Sequence, residues 1–190
     1  MWFLVPERQD QAVASLFNKH SYIDSVVNGE CTTIGYARKS LSNESKSVRL
    51  RLLESMTSIL VDPCRCSKIF VTPLCNANSP LLERDLKRSP LTKDVRHAHG
   101  DMQDLISYVK TSMRPIRLVV IDYAGLTTSP QDLLTFISSL NLVMFVVVYH
   151  GHRFESFSRE NLLKDISFKA FAYRKAPIRR SRQLLFHEQL

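Results

Sequence analysis

Glycine is scarce in this chain, with only five among 190 residues. Neither Gly-x-x-x-x-Gly-Lys nor Gly-x-Gly-x-x-Gly, the motifs whose backbone cradles nucleotide phosphates, occurs in it. The sequence also contains no internal repeat and no low-complexity tract. These absences argue against a nucleotide-driven or dinucleotide-dependent enzyme, and the sequence predicts no cofactor.

Long apolar runs are also missing. The longest, Leu142 to Tyr149, is far shorter than the roughly 20 residues that span a bilayer. Met1 to Val5 leads straight into the run Pro6 to Asp10, which is not the pattern of a secretory signal. We therefore expect an intracellular protein, cytoplasmic or nuclear, with no membrane contact. Its cysteines should be reduced thiols, and they are Cys31, Cys64, Cys66 and Cys75.

Acidic residues are outnumbered by basic ones, 18 to 26, which gives a formal net charge of +8. Such a balance favours an anionic partner, nucleic acid being the usual one, although charge alone leaves DNA, RNA, acidic proteins and lipid head groups open. A tail at 169–182 has no acidic residue and is a solvated tail, a nucleic-acid contact or a nuclear import signal. Its basic residues are Lys169, Arg174, Lys175, Arg179, Arg180 and Arg182.

Apolar segments alternate with helical patterns along the chain, which is typical of a parallel sheet flanked by helices. The predicted strands lie at 33–38, 68–72, 116–122 and 143–149. Helices are predicted at 48–60, 101–110 and 130–140. Asn43 or Ser45 would cap the first of these helices and Ser129 the third. The predicted fold class is therefore α/β, with a three-layer, mainly parallel four-stranded sheet and helices on both faces.

The same pattern divides the chain into three regions. Residues 1–30 are a predicted N-terminal helical extension, with a short amphipathic helix at 11–17 whose apolar face is Val13, Leu16 and Phe17. Residues 31–150 are the predicted α/β core. Residues 151–190 should hold a short helix at about 158–166 and the basic tail.

The first strand ends in a basic and hydroxyl-bearing stretch. Arg38 and Ser40 are two residues apart and thus on one face, at the edge where open α/β sheets hold ligands. A guanidinium fits two phosphate oxygens, and a serine hydroxyl becomes a nucleophile once its proton is removed. The stretch is therefore either a site that binds and attacks a phosphate or simply a solvent-exposed strand end.

The run Tyr36-Ala37-Arg38-Lys39-Ser40, followed by a polar loop and a helical pattern, resembles the start of the serine recombinase (resolvase/invertase) catalytic domain. In that family the strand-end serine attacks a DNA phosphodiester. The resemblance covers about Thr33 to Tyr149 and implies a resolvase-like fold, with Ser40 as nucleophile and Arg38 as a phosphate ligand. It also implies DNA as a partner, a possible homodimer and no cofactor.

A second arginine of the family follows the second strand. The resemblance matches it to Arg84, and matches Ala77 or Ser79 to the small or hydroxyl residue of the family's loop. Arg84 would then be a second phosphate ligand. Alternatively, it is an exposed helix arginine that pairs with Glu83 or Asp85.

The chain departs from the family after the third strand. The family's Asp-Arg-x-x-Arg motif, whose arginines stabilise the pentacoordinate phosphate, falls on Ala124, Gly125 and Thr128. Losing one such donor typically costs ~10²–10³ in rate, so we expect strand cleavage to be lost. Asp122 lies two residues before the family's aspartate, but a carboxylate cannot replace a guanidinium at a phosphate. Asp122 could also simply cap the helix that follows.

Two further clusters offer other chemistry. One cluster holds cysteine and histidine side chains that could bind zinc. However, Cys64 and Cys66 are separated by only one residue, whereas zinc sites favour about two to four, so we predict ordinary thiols and no metal. These ligands are Cys64, Cys66, Cys75, His97 and His99. His150 and His152 follow the fourth strand, at the edge that holds Ser40. They are either loop histidines without a special role or the general base of a serine hydrolase.

The leading hypothesis is a resolvase-like domain that binds DNA, related by ancestry to DNA strand exchange but catalytically degenerate. Its expected phosphate contacts are Arg38, Lys39, Arg84, Arg174, Lys175, Arg179, Arg180 and Arg182. Any remaining catalysis would use Ser40, with Arg38 and Arg84 holding the phosphate oxygens. The alternative is a non-catalytic protein-interaction module that recruits a partner through the sheet edges and the amino-terminal helix.

Overall fold

The computed structural model describes residues 6–164 and 169–172. Its strands are β1 (Thr32–Arg38), β2 (Lys68–Thr72), β3 (Ile116–Ile121), β4 (Val143–Tyr149) and β5 (Phe154–Ser158). Its helices are α1 (Pro6–Val27), α2 (Lys46–Val61), α3 (Met102–Thr111), α4 (Tyr123–Leu126), α5 (Pro130–Ser139), α6 (Arg159–Leu163) and α7 (Lys169–Ala172). Short 3-10 turns at Leu81–Glu83 and Pro90–Asp94 lie between β2 and α3.

The strands form one sheet in the order β2-β1-β3-β4-β5. The first four are parallel, and β5 runs antiparallel to β4. Because β1 to β4 are parallel, their carboxyl ends meet at one edge, which we call the carboxyl rim. The direction of strand order reverses between β1 and β3, and sheets of this kind form ligand crevices at such a point.

Side chains that alternate along the strands divide between two hydrophobic cores, one on each face of the sheet. One core contains Ile34 of β1 together with side chains of α3 and α5. The other contains Val119 of β3 with Leu53 of α2 and Tyr22 of α1. Helices therefore lie on both faces, and the prediction of a mainly parallel α/β sheet is confirmed.

Gly35 of β1 lies where α2 packs closely on the strand. A Cβ at Gly35 would lie 3.0 Å from Leu60 Cδ1 and 3.1 Å from Cys66 Sγ, so these side chains would have to shift by a few tenths of an ångström. The absent side chain therefore lets α2 pack directly on the strand.

Helix caps follow the predicted pattern. Ser45, one of two predicted candidates, caps α2 by accepting a hydrogen bond from the Val48 N–H at 3.3 Å. Ser129 caps α5 by accepting from the Asp132 N–H, also at 3.3 Å. These hydroxyls satisfy N–H groups that have no partner inside the helix.

The sheet has one strand more than the sequence predicts. The region of β5 alternates apolar and polar residues only weakly, because an edge strand buries little of its surface, and the pattern was insufficient to predict it. The predicted core boundary at residue 150 therefore cuts through the sheet. The predicted helix at 158–166 is shorter in the structure, where α6 has five residues.

Helix α1 has 22 residues and is much longer than the short helix that the sequence predicts. Its predicted apolar face is not the packed one, since Leu16 and Phe17 are 59% and 72% exposed. Contact with the core is made further along, where the Tyr22 ring stacks on Phe154 with centroids 3.8 Å apart. The Tyr22 hydroxyl also donates to the Cys64 carbonyl at 2.6 Å.

Both edges of the sheet are partly covered. Beside β2, residues 98–100 follow the outer side of the strand, and the His99 N–H donates to the Ile69 carbonyl at 2.7 Å. Beside β5, the Asn18 side-chain amide donates to the Phe154 carbonyl at 3.0 Å and accepts from its N–H at 2.6 Å. Among the helices of the described residues, none combines the length and the apolar character required to traverse a bilayer.

Candidate functional site

Arg38 ends β1 at the carboxyl rim, yet its side chain is only 1% exposed. Its Nη1 donates to the Ser40 hydroxyl at 3.1 Å and to the Cys75 carbonyl, and its Nη2 donates to the Ala124 carbonyl at 2.7 Å. Arg38 and Ser40, which the sequence puts on one face at the end of β1, are thus in direct contact. The same guanidinium ties together the segments that follow β1, β2 and β3.

Arg84 is also buried, at 3% exposure, and all five of its N–H donors are used. Its Nε and Nη2 donate to the Ser79 carbonyl at 3.1 and 2.9 Å, and Nη2 also donates to the Ala77 carbonyl at 3.2 Å. Its Nη1 donates to the Leu126 carbonyl at 2.6 Å and to the Tyr36 hydroxyl at 3.2 Å. A phosphate would bind Arg84 only in place of these groups. The alternative of an exposed arginine paired with Glu83 or Asp85 does not describe it either.

Arg38 and Arg84 meet the same four-residue helix, α4, through two of its carbonyls. Ser40 thus lies beside one guanidinium, and α4 connects this arginine to the other. The sequence therefore identified residues that belong to one rim. It did not predict that main-chain carbonyls would occupy their guanidinium groups.

Arg49 of α2 is a rim residue that the sequence analysis missed. It is 4% exposed, and its guanidinium donates to the carbonyls of Ser40 at 2.9 Å, Ser42 at 2.9 Å and Pro73 at 3.1 Å. It also forms an ion pair with Glu44 at 3.1 Å. The available signal was its position on the face of α2 that otherwise carries leucine and methionine.

Lys39, a predicted phosphate contact, is engaged within the loop after β1. Its Nζ lies 2.8 Å from Glu44 Oε1 and donates to the Ser42 hydroxyl at 3.1 Å. Burial acts to raise the pKa of Glu44, but hydrogen bonds from Lys39 and Ser42 outweigh it and lower that pKa. The lysine charge is therefore balanced locally by a carboxylate that stays ionised.

A buried polar network connects the ends of β1 and β2. Arg84 donates to the Tyr36 hydroxyl, which donates to the Thr72 hydroxyl at 2.7 Å, and Thr72 donates to Asp85 Oδ2 at 2.6 Å. The Asp85 carboxylate also accepts from the Met102 N–H at 3.1 Å, at the start of α3. Burial raises the pKa of the Tyr36 hydroxyl and of the Asp85 carboxyl. Sequence reasoning treated Asp85 only as a neighbour of Arg84, because its partners are distant in the chain.

The turn after β3 contains no cation at the positions of the family's catalytic motif. Ala124 and Gly125 are buried parts of α4, and the Thr128 N–H donates to the Ala77 carbonyl at 3.2 Å. Asp122 caps α4, its carboxylate accepting from the Tyr123 N–H at 2.8 Å. The capping interpretation of Asp122 is confirmed.

The two histidines after β4 do not contact the serine. His150 Nε2 lies 3.0 Å from Glu155 Oε2, which also accepts from the Tyr123 hydroxyl at 2.5 Å. His152 is exposed in the β4–β5 turn. Within the described residues, neither imidazole forms a hydrogen bond to the Ser40 hydroxyl, so this structure assembles no serine–histidine pair.

The cysteine and histidine residues considered as metal ligands lie after α2, after β2 and before α3. Burial raises the pKa of the Cys64 and Cys66 thiols, which disfavours the thiolate that binds metal. His99 Nδ1 accepts a hydrogen bond from the Ile69 N–H at 3.2 Å. In the part of the chain that the structure describes, no group of three His, Cys, Asp or Glu side chains is arranged to hold a metal ion.

The predicted tail contacts lie outside the described residues, and they are Arg174, Lys175, Arg179, Arg180 and Arg182. Comparisons of the chain with protein-family models, with curated proteins and with solved structures find no match. We therefore infer function from the rim and from the distribution of charge.

Proposed function

We propose that the chain is a catalytically inactive, resolvase-like α/β domain that binds DNA through exposed cationic groups. The main observation in favour of lost catalysis is that every N–H donor of Arg84 is bound to a protein acceptor. Arg84 therefore has no free donor for a phosphate beside Ser40. Arg38 and Arg84 enter this proposal as supports of the rim loops rather than as phosphate ligands.

Chemistry at the third strand supports the same conclusion. Phosphoryl transfer depends on preorganised positive charge, and each missing donor costs ~10²–10³ in rate. The resemblance aligns two catalytic arginines with Gly125 and Thr128, neither of which carries charge. Two such losses leave Ser40 without effective transition-state stabilisation.

The charge distribution supports DNA binding. Residues 173–190 hold five Lys or Arg and one Glu, which is half of the formal charge of +8. Phosphate contacts of this kind release counterions, so affinity falls steeply with salt. DNA binding without base readout requires only accessible cations and no preformed pocket.

A salt titration tests the binding. The full chain is mixed with a fluorescent 20-base-pair duplex, and the dissociation constant is measured by anisotropy between 50 and 300 mM salt. We expect a linear decrease of log K with log salt, with a slope of about −0.9 for each phosphate contacted. Binding that is absent at low salt, or that does not change with salt, contradicts the proposal.

A trapping experiment tests the chemistry. The full chain is incubated with supercoiled plasmid, denatured without reducing or hydrolytic steps, and examined for a covalent protein–DNA adduct. We expect no adduct from the native chain or from Ser40→Ala. An adduct that is formed by the native chain and lost in Ser40→Ala would overturn the loss of catalysis.

A protein-interaction function is the second candidate, and exposure on α1 favours it. Leu16 and Phe17 are 59% and 72% exposed on one stretch of that helix. If this stretch mediates a homodimer, sedimentation will give the dimer mass for the native chain and the monomer mass for the double variant Leu16→Gln, Phe17→Gln. A monomer in both cases argues against that dimer.

A further inference from the structure

The stretch between Asp85 and α3 concentrates exposed positive charge. We define residues 86–97 as the basic segment. Its exposed cations are Lys87, Arg88, Lys93 and Arg96. The single acidic residue of the basic segment, Asp94, is bound by Lys46 at 2.9 Å, so the local balance is strongly positive.

The basic segment is held firmly at both ends. Before it, Asp85 accepts from the Thr72 hydroxyl at 2.6 Å and from the Met102 N–H at 3.1 Å. After it, the His99 N–H donates to the Ile69 carbonyl at 2.7 Å, on the outer side of β2. Its cations are therefore presented from a fixed backbone.

The middle of the basic segment is anchored as well. Thr92 and Val95 lie between the exposed cations and are themselves buried, at 8% and 4% exposure, so they anchor the middle of the segment. The Thr57 hydroxyl of α2 donates to the Arg96 carbonyl at 2.9 Å. An anchored backbone has little conformational freedom left to lose on binding.

Most of this charge is not neutralised by neighbours. Arg88 is bound by Asp104 at 2.8 Å and lies 3.6 Å from Asp101. Within the described residues, no ion pair involves Lys87, Lys93 or Arg96. These three cations can therefore meet an external anion without first breaking a protein ion pair.

We propose that the basic segment is the surface that contacts the phosphate backbone of a nucleic-acid duplex. The inference rests on the proposed DNA-binding function and gives it a location. The 3-10 turn at Pro90–Asp94 shortens this stretch, so Lys87 and Arg96 lie closer together than the ~30 Å of a fully extended chain and can face no more than roughly nine base pairs of duplex at 3.4 Å each. Phosphates repeat along a duplex, so exposed cations can contact them without a pocket, and such contacts carry no sequence preference.

A charge-matched pair of variants of the full chain tests this location. The test variant is Lys87→Gln, Lys93→Gln, Arg96→Gln. The control variant is Lys19→Gln, Lys110→Gln, Arg114→Gln, which removes the same charge from exposed positions on α1, in the last turn of α3 and just before β3. Far-ultraviolet circular dichroism verifies that both variants fold like the native chain.

Duplex affinity is measured by anisotropy across a salt series for the three proteins. We expect the slope of log K against log salt to become less steep by about 2 to 3 in the test variant, and by less than about 1 in the control. Equal changes in the two variants overturn the location while leaving the proposed function intact. A native chain without salt-dependent binding refutes the proposed function itself.

Anionic vesicles separate nucleic acid from lipid. Vesicles with 30% phosphatidylserine are titrated with the same three proteins. If the test variant loses vesicle binding but keeps native duplex binding, the basic segment is a lipid contact and the proposal fails. Loss of duplex binding that exceeds any loss of vesicle binding supports it.

Discussion

Buried arginines at the carboxyl rim satisfy main-chain carbonyls. Arg38, Arg49 and Arg84 are 1%, 4% and 3% exposed, and each donates to at least one carbonyl in a loop that follows a strand. Loop carbonyls that leave a sheet have no ladder partner, and a buried unpaired carbonyl is costly. A guanidinium, with five donors in a fixed fork, can bind several of them at once.

Replacing Arg84 should therefore destabilise the fold. We expect Arg84→Ala to lower the free energy of unfolding by at least about 3 kcal/mol, because several buried acceptors lose their donor together. Arg51→Ala removes the same charge from an exposed position of α2 and should change it by no more than about 0.5 kcal/mol. Urea denaturation measures both values. Equal effects of the two substitutions would contradict the structural role of Arg84.

Asp85 makes stability depend on pH. Burial raises the pKa of Asp85 in the folded state. Protonation of Asp85 therefore stabilises the fold, and this contribution is fully present at pH values below the unfolded-state pKa of about 3.9. This contribution is lost as pH rises through the raised folded-state pKa. Asp85→Asn removes the ionisation but keeps an oxygen that can accept from Thr72 and Met102, so its stability relative to the native chain should increase across that pH window.

Two comparisons check the Asp85 prediction. Thermal unfolding between pH 3 and pH 7 should give a difference between Asp85→Asn and the native chain that increases with pH. Asp85→Ala leaves both donors without their acceptor and should cost about 1–3 kcal/mol at pH 3, and this cost should decrease as pH rises, because alanine also removes the ionisation. A difference between Asp85→Asn and the native chain that is constant with pH would show that Asp85 does not titrate in this range.

At the scale of elements, α1 fastens the start of β5. The Asn18 side chain binds both backbone groups of Phe154, and the Tyr22 ring stacks on the Phe154 ring. A short edge strand has few contacts of its own, so its order depends on such covering groups.

Hydrogen exchange measures this dependence. We expect Asn18→Ala to increase the exchange rate of the Phe154 amide, which loses its acceptor, while amides in β1 and β3 keep their rates. Lys19→Ala, at the next position on the exposed side of α1, should leave the Phe154 amide unchanged. An unchanged rate in Asn18→Ala would mean that β5 is ordered without this contact.

The success of sequence reasoning differed among elements. The four parallel strands, α2, α3 and α5 were predictable because apolar periodicity, prolines and capping serines mark them locally. β5 and the packed part of α1 were not, since their order depends on contacts between residues more than 130 positions apart in the chain. The exposed Leu16 and Phe17 show that helical spacing alone does not identify the buried face.

For the whole molecule, the two hydrophobic cores should unfold together. β1 and β3 contribute side chains to both cores, so neither core can open while the sheet stays intact. We expect a single urea transition, with coincident curves from far-ultraviolet circular dichroism and tyrosine fluorescence. Two separate midpoints would show that the cores are independent units.

The candidate site was partly predictable at this scale. The spacing of Arg38 and Ser40 predicted a shared face at the end of β1, and in the structure the two side chains are hydrogen-bonded there. The engagement of Arg84 was not predictable, because its acceptors come from the loop before it, from β1 and from α4. Arg49 was overlooked although its position on the apolar face of α2 was a signal in the sequence. The basic segment was overlooked because the anchored backbone that presents its charge is a property of the folded chain.

The covering of the β2 edge bears on how copies of this chain behave at high concentration. An open strand edge is a template on which a second chain can add a strand and begin a fibril. Residues 98–100 already fill hydrogen-bonding positions along β2, and the nearby cations of the basic segment repel an identical neighbour. Concentrated solutions should therefore resist the growth of ordered aggregates through that side of the sheet.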